Sequence, residues 1–229
     1  MIYPMVFIVM ELKADRKESL VDVACRELAE RFVTLKLQPG SVWSEAELSA
    51  LIGIGRTPVR EAVLKMASDQ LVTVIRRAGI LISKISIEEQ LFVLETRRVL
   101  EQLVSLRAAK RATDEERAKL TELATSIETA GTSGDVLAYM KYHFKIKPFV
   151  AQCARNPYAA RALFPLHTLS QRFYFAYHRE FDNLPEVSRA HAHLTRAIVS
   201  GDESSIATFS TEVADIAENF TRDLFHRNR

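Results

Sequence analysis

Arg56, Thr57 and Arg60 lie in the run GIGRTPVREAVL, Gly53 to Leu64, where their types and spacing suit one kind of chemistry. A turn built on Gly53 and Gly55 delivers the chain to Arg56 and Thr57. Thr57 is a natural N-cap, and Pro58 then takes the first helical position, where its missing N–H costs nothing. Val59, Val63 and Met66 follow at i, i+4 and i+7 and face a core, with Arg60 one turn after Thr57 and off that apolar stripe. A helix stiffened by proline in its first turn, with outward Arg, Thr and Arg, presents donors at its N-terminal end. In a DNA major groove, base edges are met by such N-terminal residues.

The neighbouring elements fit that role. Ser44-Glu45-Ala46-Glu47 is a capping box, so a helix starts after Ser44. Leu48, Leu51 and Ile52 give it an apolar face, and Gly53 can take the positive φ of a helix stop. Helix, tight turn and helix in so few residues is the helix-turn-helix pattern. Upstream, Leu20, Val23, Ala24, Leu28 and Phe32 are spaced for another amphipathic helix, closed by Pro39-Gly40. Trp43 reads as a core anchor. Downstream, Leu71–Ile75 and Ile80–Ile85 are β-prone runs around Arg76-Arg77-Ala78-Gly79, a hairpin with a basic, glycine-bearing tip. Three helices and such a hairpin predict a winged helix-turn-helix whose wing reaches phosphates or the minor groove.

Charge is local. From Ile54 to Lys84 there are six cations and two anions, a net +4, in a chain whose total is only +2. This is the footprint of a polyanion partner such as double-stranded DNA rather than of a generally adhesive surface. Each residue also has a plainer reading: Arg76-Arg77 as a solvated turn, Arg60-Glu61 as an ordinary helix surface.

These residues also resemble a known family. Leu37-Gln38-Pro39-Gly40, Ser44-Glu45-Ala46-Glu47-Leu48, Gly55-Arg56-Thr57-Pro58-Val59-Arg60-Glu61-Ala62 and Gly79 are similar to the N-terminal domain of GntR-type bacterial transcription regulators. The resemblance implies that Arg56, Thr57 and Arg60 contact an operator, and that the wing with Arg76, Arg77 and Gly79 contacts the minor groove. Two positions depart from the pattern. Gly55 lacks the hydroxyl usual there, and Ala46 stands where some members carry a DNA-contacting arginine.

The rest of the chain reads as a second, all-α domain, so the fold class is mainly α. The expected organisation is an N-terminal extension (1–19), a winged helix-turn-helix (20–85) and a helical bundle (86–229). Ser86-Ile87-Glu88-Glu89 and Thr113-Asp114-Glu115-Glu116 are capping boxes. Asp135, Asn156-Pro157, Leu184-Pro185 and Gly201-Asp202 mark further starts, giving about six helices. Beyond Ile85 the chain carries 19 cations and 19 anions, a balance suited to sensing and dimerisation rather than to nucleic acid. This part resembles the sensor (FCD) domain of the FadR subgroup of the same family. The match lies in Arg97-Arg98-Val99-Leu100-Glu101 with Ala108-Ala109, in Asn156-Pro157, and in His191 with Ala197-Ile198 and Gly201-Asp202.

The resemblance implies a divalent metal held by one Asp and three His. Here the Asp position falls on His143, the first His position on Lys147, and the third on Val213 or Ala214, leaving His143 and His191 as possible ligands. A lysine at a ligand position argues against a dication, because its ammonium only donates. Resident Zn²⁺ is therefore not expected, although adventitious Zn²⁺ on His143, His191 and His193 stays open. Two readings of Lys147 stand side by side. With Arg97, His143, His191 and His193 it lines a cavity for a carboxylate-bearing metabolite, or it bonds a buried carboxylate such as Glu101 or snorkels to solvent. Arg97 and Glu101, at i, i+4, can equally be a helix ion pair.

The expected function is an operator-binding homodimer tuned by a small metabolite. The alternatives are a helical scaffold using the winged domain for protein contacts, or an enzyme. The six histidines come with no HExxH, GxSxG or P-loop, which disfavours catalysis. Cys25 and Cys153 have neither CxxC spacing nor a secretory context and fit a reducing cytoplasm. Met1–Met10 is apolar but too short for a membrane span, which needs about 20 residues. Met10 is a candidate native start, or the segment packs on a neighbouring surface.

Overall fold

The computed structural model describes residues 19–180 and 182–227. The expected extension, and the proposals about Met10, lie almost entirely outside the described residues. Contacts divide the chain into two compact units. One is Met1–Ile85 with Gln171–Ala176; the other is Ser86–Ser170 with Tyr177–Arg229.

In the first unit α1 (Leu20–Val33) starts at Ser19, whose side chain accepts from the Asp22 N–H. It ends well before Pro39-Gly40, and Leu20 stays on the surface. β1 (Val42–Trp43) leads into α2 (Glu45–Ile52), where both halves of the Ser44/Glu47 capping box form. Gly53 closes α2 at φ 69°, a left-handed stop that glycine adopts without steric cost. α3 (Arg56–Ser68) buries Val59, Ala62, Val63 and Met66 against α1, with Ala24, Leu28 and Phe32 completing the core.

β2 (Val72–Ile75) and β3 (Gly79–Ile82) form the expected hairpin, but the sheet has three strands in the order β1-β3-β2. Trp43 pairs with Ile80 across β1 and β3 and is only half-buried, with its indole N–H on the Ser41 hydroxyl at 2.9 Å. It is an edge-strand residue rather than a core anchor. A two-residue strand has too little alternation to show in a sequence. From the other end of the chain, Arg172 belongs to this unit: its guanidinium lies 3.9 Å from the Phe32 ring centroid and donates to the Ser83 hydroxyl.

The second unit is helical throughout its described residues. α4 (Ile87–Arg111), α5 (Asp114–Thr132), α6 (Val136–Cys153), α7 (Pro157–Ala176), α8 (Leu184–Ser200) and α9 (Glu203–Arg227) follow the predicted breaks. Thr113 and Glu116 make a full capping box, whereas Ser86 accepts from the Glu89 N–H. The most extensive packing is α5 on α8, followed by α4 on α9. At the first of these, a Cβ added to Gly131 would lie 1.8 Å from the Ser188 hydroxyl, so only glycine lets the helices approach this closely. Arg117 ties three elements together by donating to the carbonyls of Ala109, Ile198 and Val199.

Candidate nucleic-acid interface and effector site

The first turn of α3 differs from the predicted one in a way that matters. Its N-cap is Gly55, with no side-chain cap, so Thr57 lies inside the helix instead of capping it. Pro58 is the third helical residue, where an N–H would still have no partner within the helix. The Thr57 hydroxyl is therefore not spent on a cap. With Gly55 as the N-cap, no side chain bonds the first N–H groups of α3, and a helix start of this kind attracts phosphate. Arg56, Thr57 and Arg60 are all exposed. Arg60 leans toward Glu45 of α2, at 3.8 Å between two largely exposed groups.

Arg76 and Arg77 are exposed at the tip between β2 and β3, where Arg77 takes φ 62°. Gly79 has φ 119°, and a Cβ there would sit 2.7 Å from the Trp43 carbonyl oxygen. Backbone closeness to β1 thus demands glycine at position 79. The sequence marked Gly79 only as part of a wing, because the strand that crowds it was not visible.

One cluster in the helical unit holds its cations in the opposite way. Glu101 of α4 gathers three donors from three helices. Arg97, one turn earlier on α4, places Nε at 2.8 Å and Nη2 at 2.6 Å from Oε1. Lys147 of α6 places Nζ 2.5 Å from Oε2, and His167 of α7 places Nε2 3.1 Å from Oε1. Arg97, Lys147 and His167 are all buried. Burial works to raise the Glu101 carboxyl, but Arg97 and Lys147 outweigh it and hold the group well below its ordinary value of 4.5. Beside this cluster the His143 and His191 rings meet edge to face at 4.6 Å, and Tyr139 stacks on His143 at 5.8 Å. Burial, reinforced by the Lys147 charge, keeps His143 and His191 well below 6.5 and so neutral. Burial depresses His167 as well.

Arg97, His143, Lys147 and His191 thus come together. His193 does not join them: it is exposed on another face of α8, against Phe209 at 5.2 Å between ring centroids. Adjacent residues on a helix point about 100° apart, and two steps carry His193 away from the face of His191. Sequence reasoning missed His167, which reaches Glu101 from α7. It lies 20 residues from Lys147, and no spacing pattern connects the two.

The cluster does not fit a dication. The ammonium of Lys147 occupies one expected ligand position and is bonded to Glu101. Val213, at another, is a buried hydrocarbon. Among the described residues no three His, Cys, Asp or Glu side chains gather around one point. Beside Glu101, Lys147 and His191 lies a cavity of about 20 Å³, walled by Val104, Ile146, Val150, Leu194 and Ile198 together with Ser105 and Thr195.

Comparison with known proteins agrees with both halves. Residues 20–82 match the family model described as bacterial regulatory proteins, gntR family, and residues 92–215 match the FCD domain. The Nta operon transcriptional regulator of Aminobacter aminovorans is 25% identical over 195 residues, covering 84% of this chain and 89% of that protein. A stretch of 59 residues, 26% of this chain, is 41% identical to a quarter of an HTH-type transcriptional regulator of Streptomyces ambofaciens. Among solved structures, McbR/YncC of E. coli superimposes with a TM-score of 0.77 at 18% identity, over 90% of this chain and 99% of that one. A GntR regulator from Rhodococcus sp. RHA1 gives a TM-score of 0.66 at 15% identity, over 89% of this chain and 97% of that one, a likeness of fold alone. The described residues contain no helix long and apolar enough to cross a membrane. This chain belongs to the gntR family of bacterial regulatory proteins, in its FCD-domain subgroup, and is a DNA-binding transcription regulator rather than an enzyme.

Proposed function

We propose that the protein works in the cytoplasm as a homodimer on a pseudo-palindromic operator, each protomer placing the first turn of α3 in a major groove. Arg56, Thr57 and Arg60 read or position base edges there, while Arg76 and Arg77 meet phosphates at the wing and Gly79 lets the wing fold. The carrying observation is the exposed, uncapped start of α3 with its three outward donors. The two-fold axis of a dimer sets the half-site spacing.

Effector control resides in the helical unit. A small carboxylate-bearing metabolite engages Arg97 and Lys147, with His143 and His191 on the adjoining wall and His193 outside the site. Binding there biases the equilibrium between operator-competent and operator-incompetent dimers. Neither Zn²⁺ nor another cofactor is required, because Lys147 supplies positive charge where the metal-binding members hold an ion. Gel shifts with the DNA upstream of the protein's own gene test the operator claim. Wild type should retard the fragment at low salt, with less retarded when the responding carboxylate is added or removed. No specific shift at any salt concentration would contradict it.

A further inference from the structure

Glu101 sits where a bound carboxylate would. A fork from Arg97, an ammonium from Lys147 and an imidazole nitrogen from His167 converge on its two oxygens, at 2.6, 2.5 and 3.1 Å. Three buried donors from three different helices on one carboxylate make a carboxylate-binding site, and the protein fills it with its own side chain. The free space alongside is about 20 Å³, room for a single water. That space is too small to hold a metabolite next to Glu101.

We infer that this is a self-liganded sensor site: Glu101 is a tethered occupant, and the external ligand that displaces it is a short aliphatic monocarboxylate. The inference rests on the effector reading above and narrows it. The head group is a carboxylate, because donors from Arg97, Lys147 and His167 already converge on one there. The tail is short and mainly apolar, because Val104, Ile146, Val150, Leu194 and Ile198 make up most of the cavity wall next to Glu101, with the hydroxyl residues Ser105 and Thr195 as its polar part. Displacement also makes the site competitive: wild type binds such ligands weakly, since each must replace a carboxylate already held at no cost in translational freedom.

Glu101→Ala removes CH₂COO⁻, the atoms that acetate returns. In this variant acetate and propionate should raise the Tm by about 5 °C or more once well above their Kd. Chloride and methylammonium at equal ionic strength should not. Wild type should respond far less to the same acids, and Glu101→Gln, which keeps the side-chain volume, should not respond to acetate. If Glu101→Ala does not fold, Glu101→Asp serves instead. Its shorter tether draws the carboxylate back from Lys147, and formate should then raise its Tm beyond the chloride control. Failure of both variants to respond would overturn the inference, as would an equal response from wild type. Operator binding separates the two readings. Rescue of stability with no effect of any carboxylate on DNA affinity keeps the self-liganded site and removes the effector reading. Carboxylate control of DNA affinity without rescue does the reverse.

Discussion

Two clusters of cations, one in each unit, work under opposite conditions. On the first turn of α3 and at the β2–β3 tip, Arg56, Arg60, Arg76 and Arg77 are exposed, and Arg60 holds Glu45 only loosely, at 3.8 Å. In the helical unit Arg97 and Lys147 are buried and closely bonded to Glu101. An exposed cation contributes little to stability and keeps its charge for a partner, with its strength set by salt. A buried cation fixes the fold around it, and removing its counter-charge leaves an uncompensated ion in a poor solvent. The comparison therefore predicts that charge deletions in the first region cost binding and not stability, and that those in the second cost stability first.

The largest effect expected is from Glu101→Ala, which strands Arg97 and Lys147. It should lower unfolding free energy by about 3–5 kcal/mol in denaturant titration. A change below about 1 kcal/mol would mean that the cluster is not a structural unit. Gly131→Ala comes next. The added methyl collides with Ser188 where α5 crosses α8, costing about 1–3 kcal/mol even though alanine favours helix. Restoring stability with Ser188→Gly in the same chain would locate the effect at that crossing. Arg60→Ala, in the exposed region, should leave the Tm unchanged and weaken specific operator binding by about 1–3 kcal/mol in fluorescence anisotropy.

Mild acid should act chiefly on the buried region. His143, His167 and His191 are all depressed below 6.5 when folded, so the unfolded chain takes up protons first and stability falls as pH drops below 6.5. Glu101, depressed below 4.5, keeps its contribution above that pH and loses it as pH falls further. Calorimetry between pH 8 and 5 should show His143→Leu with a flatter decline than wild type, and an equal slope would contradict this. The smallest effect is from Glu45→Ala. Freeing Arg60 from a loose, exposed contact should tighten DNA binding by less than about 1 kcal/mol.

What the sequence revealed depended on how local the cause was. Caps, glycine stops and prolines act over three or four residues, so the Ser44 and Thr113 boxes, the Gly53 stop and the breaks of the helical unit were all legible. The start of α3 was not placed correctly, because Gly55 and Thr57 are both good caps and the choice depends on the geometry of the preceding turn. β1 and the demand for glycine at 79 were hidden for another reason: they arise from pairing between segments nearly 40 residues apart. In the helical unit, spacing put Arg97 with Glu101 and His143 with Lys147. It left two partners for Lys147 open, and the contact with Glu101 is the one that forms. His167 and Gly131 act across helix pairs, where neither periodicity nor motif gives a signal.

The salt dependence of operator binding tests the central claim most directly. A probe carrying the operator from its own upstream region should lose affinity linearly in log–log form as salt rises, with a slope set by the phosphates neutralised. Arg60→Ala should reduce affinity for the operator while leaving non-specific DNA almost unaffected. Equal loss on both DNAs would make Arg60 a phosphate contact only. An operator affinity indifferent to salt and to Arg60→Ala would contradict the assignment of α3 as the DNA-reading element.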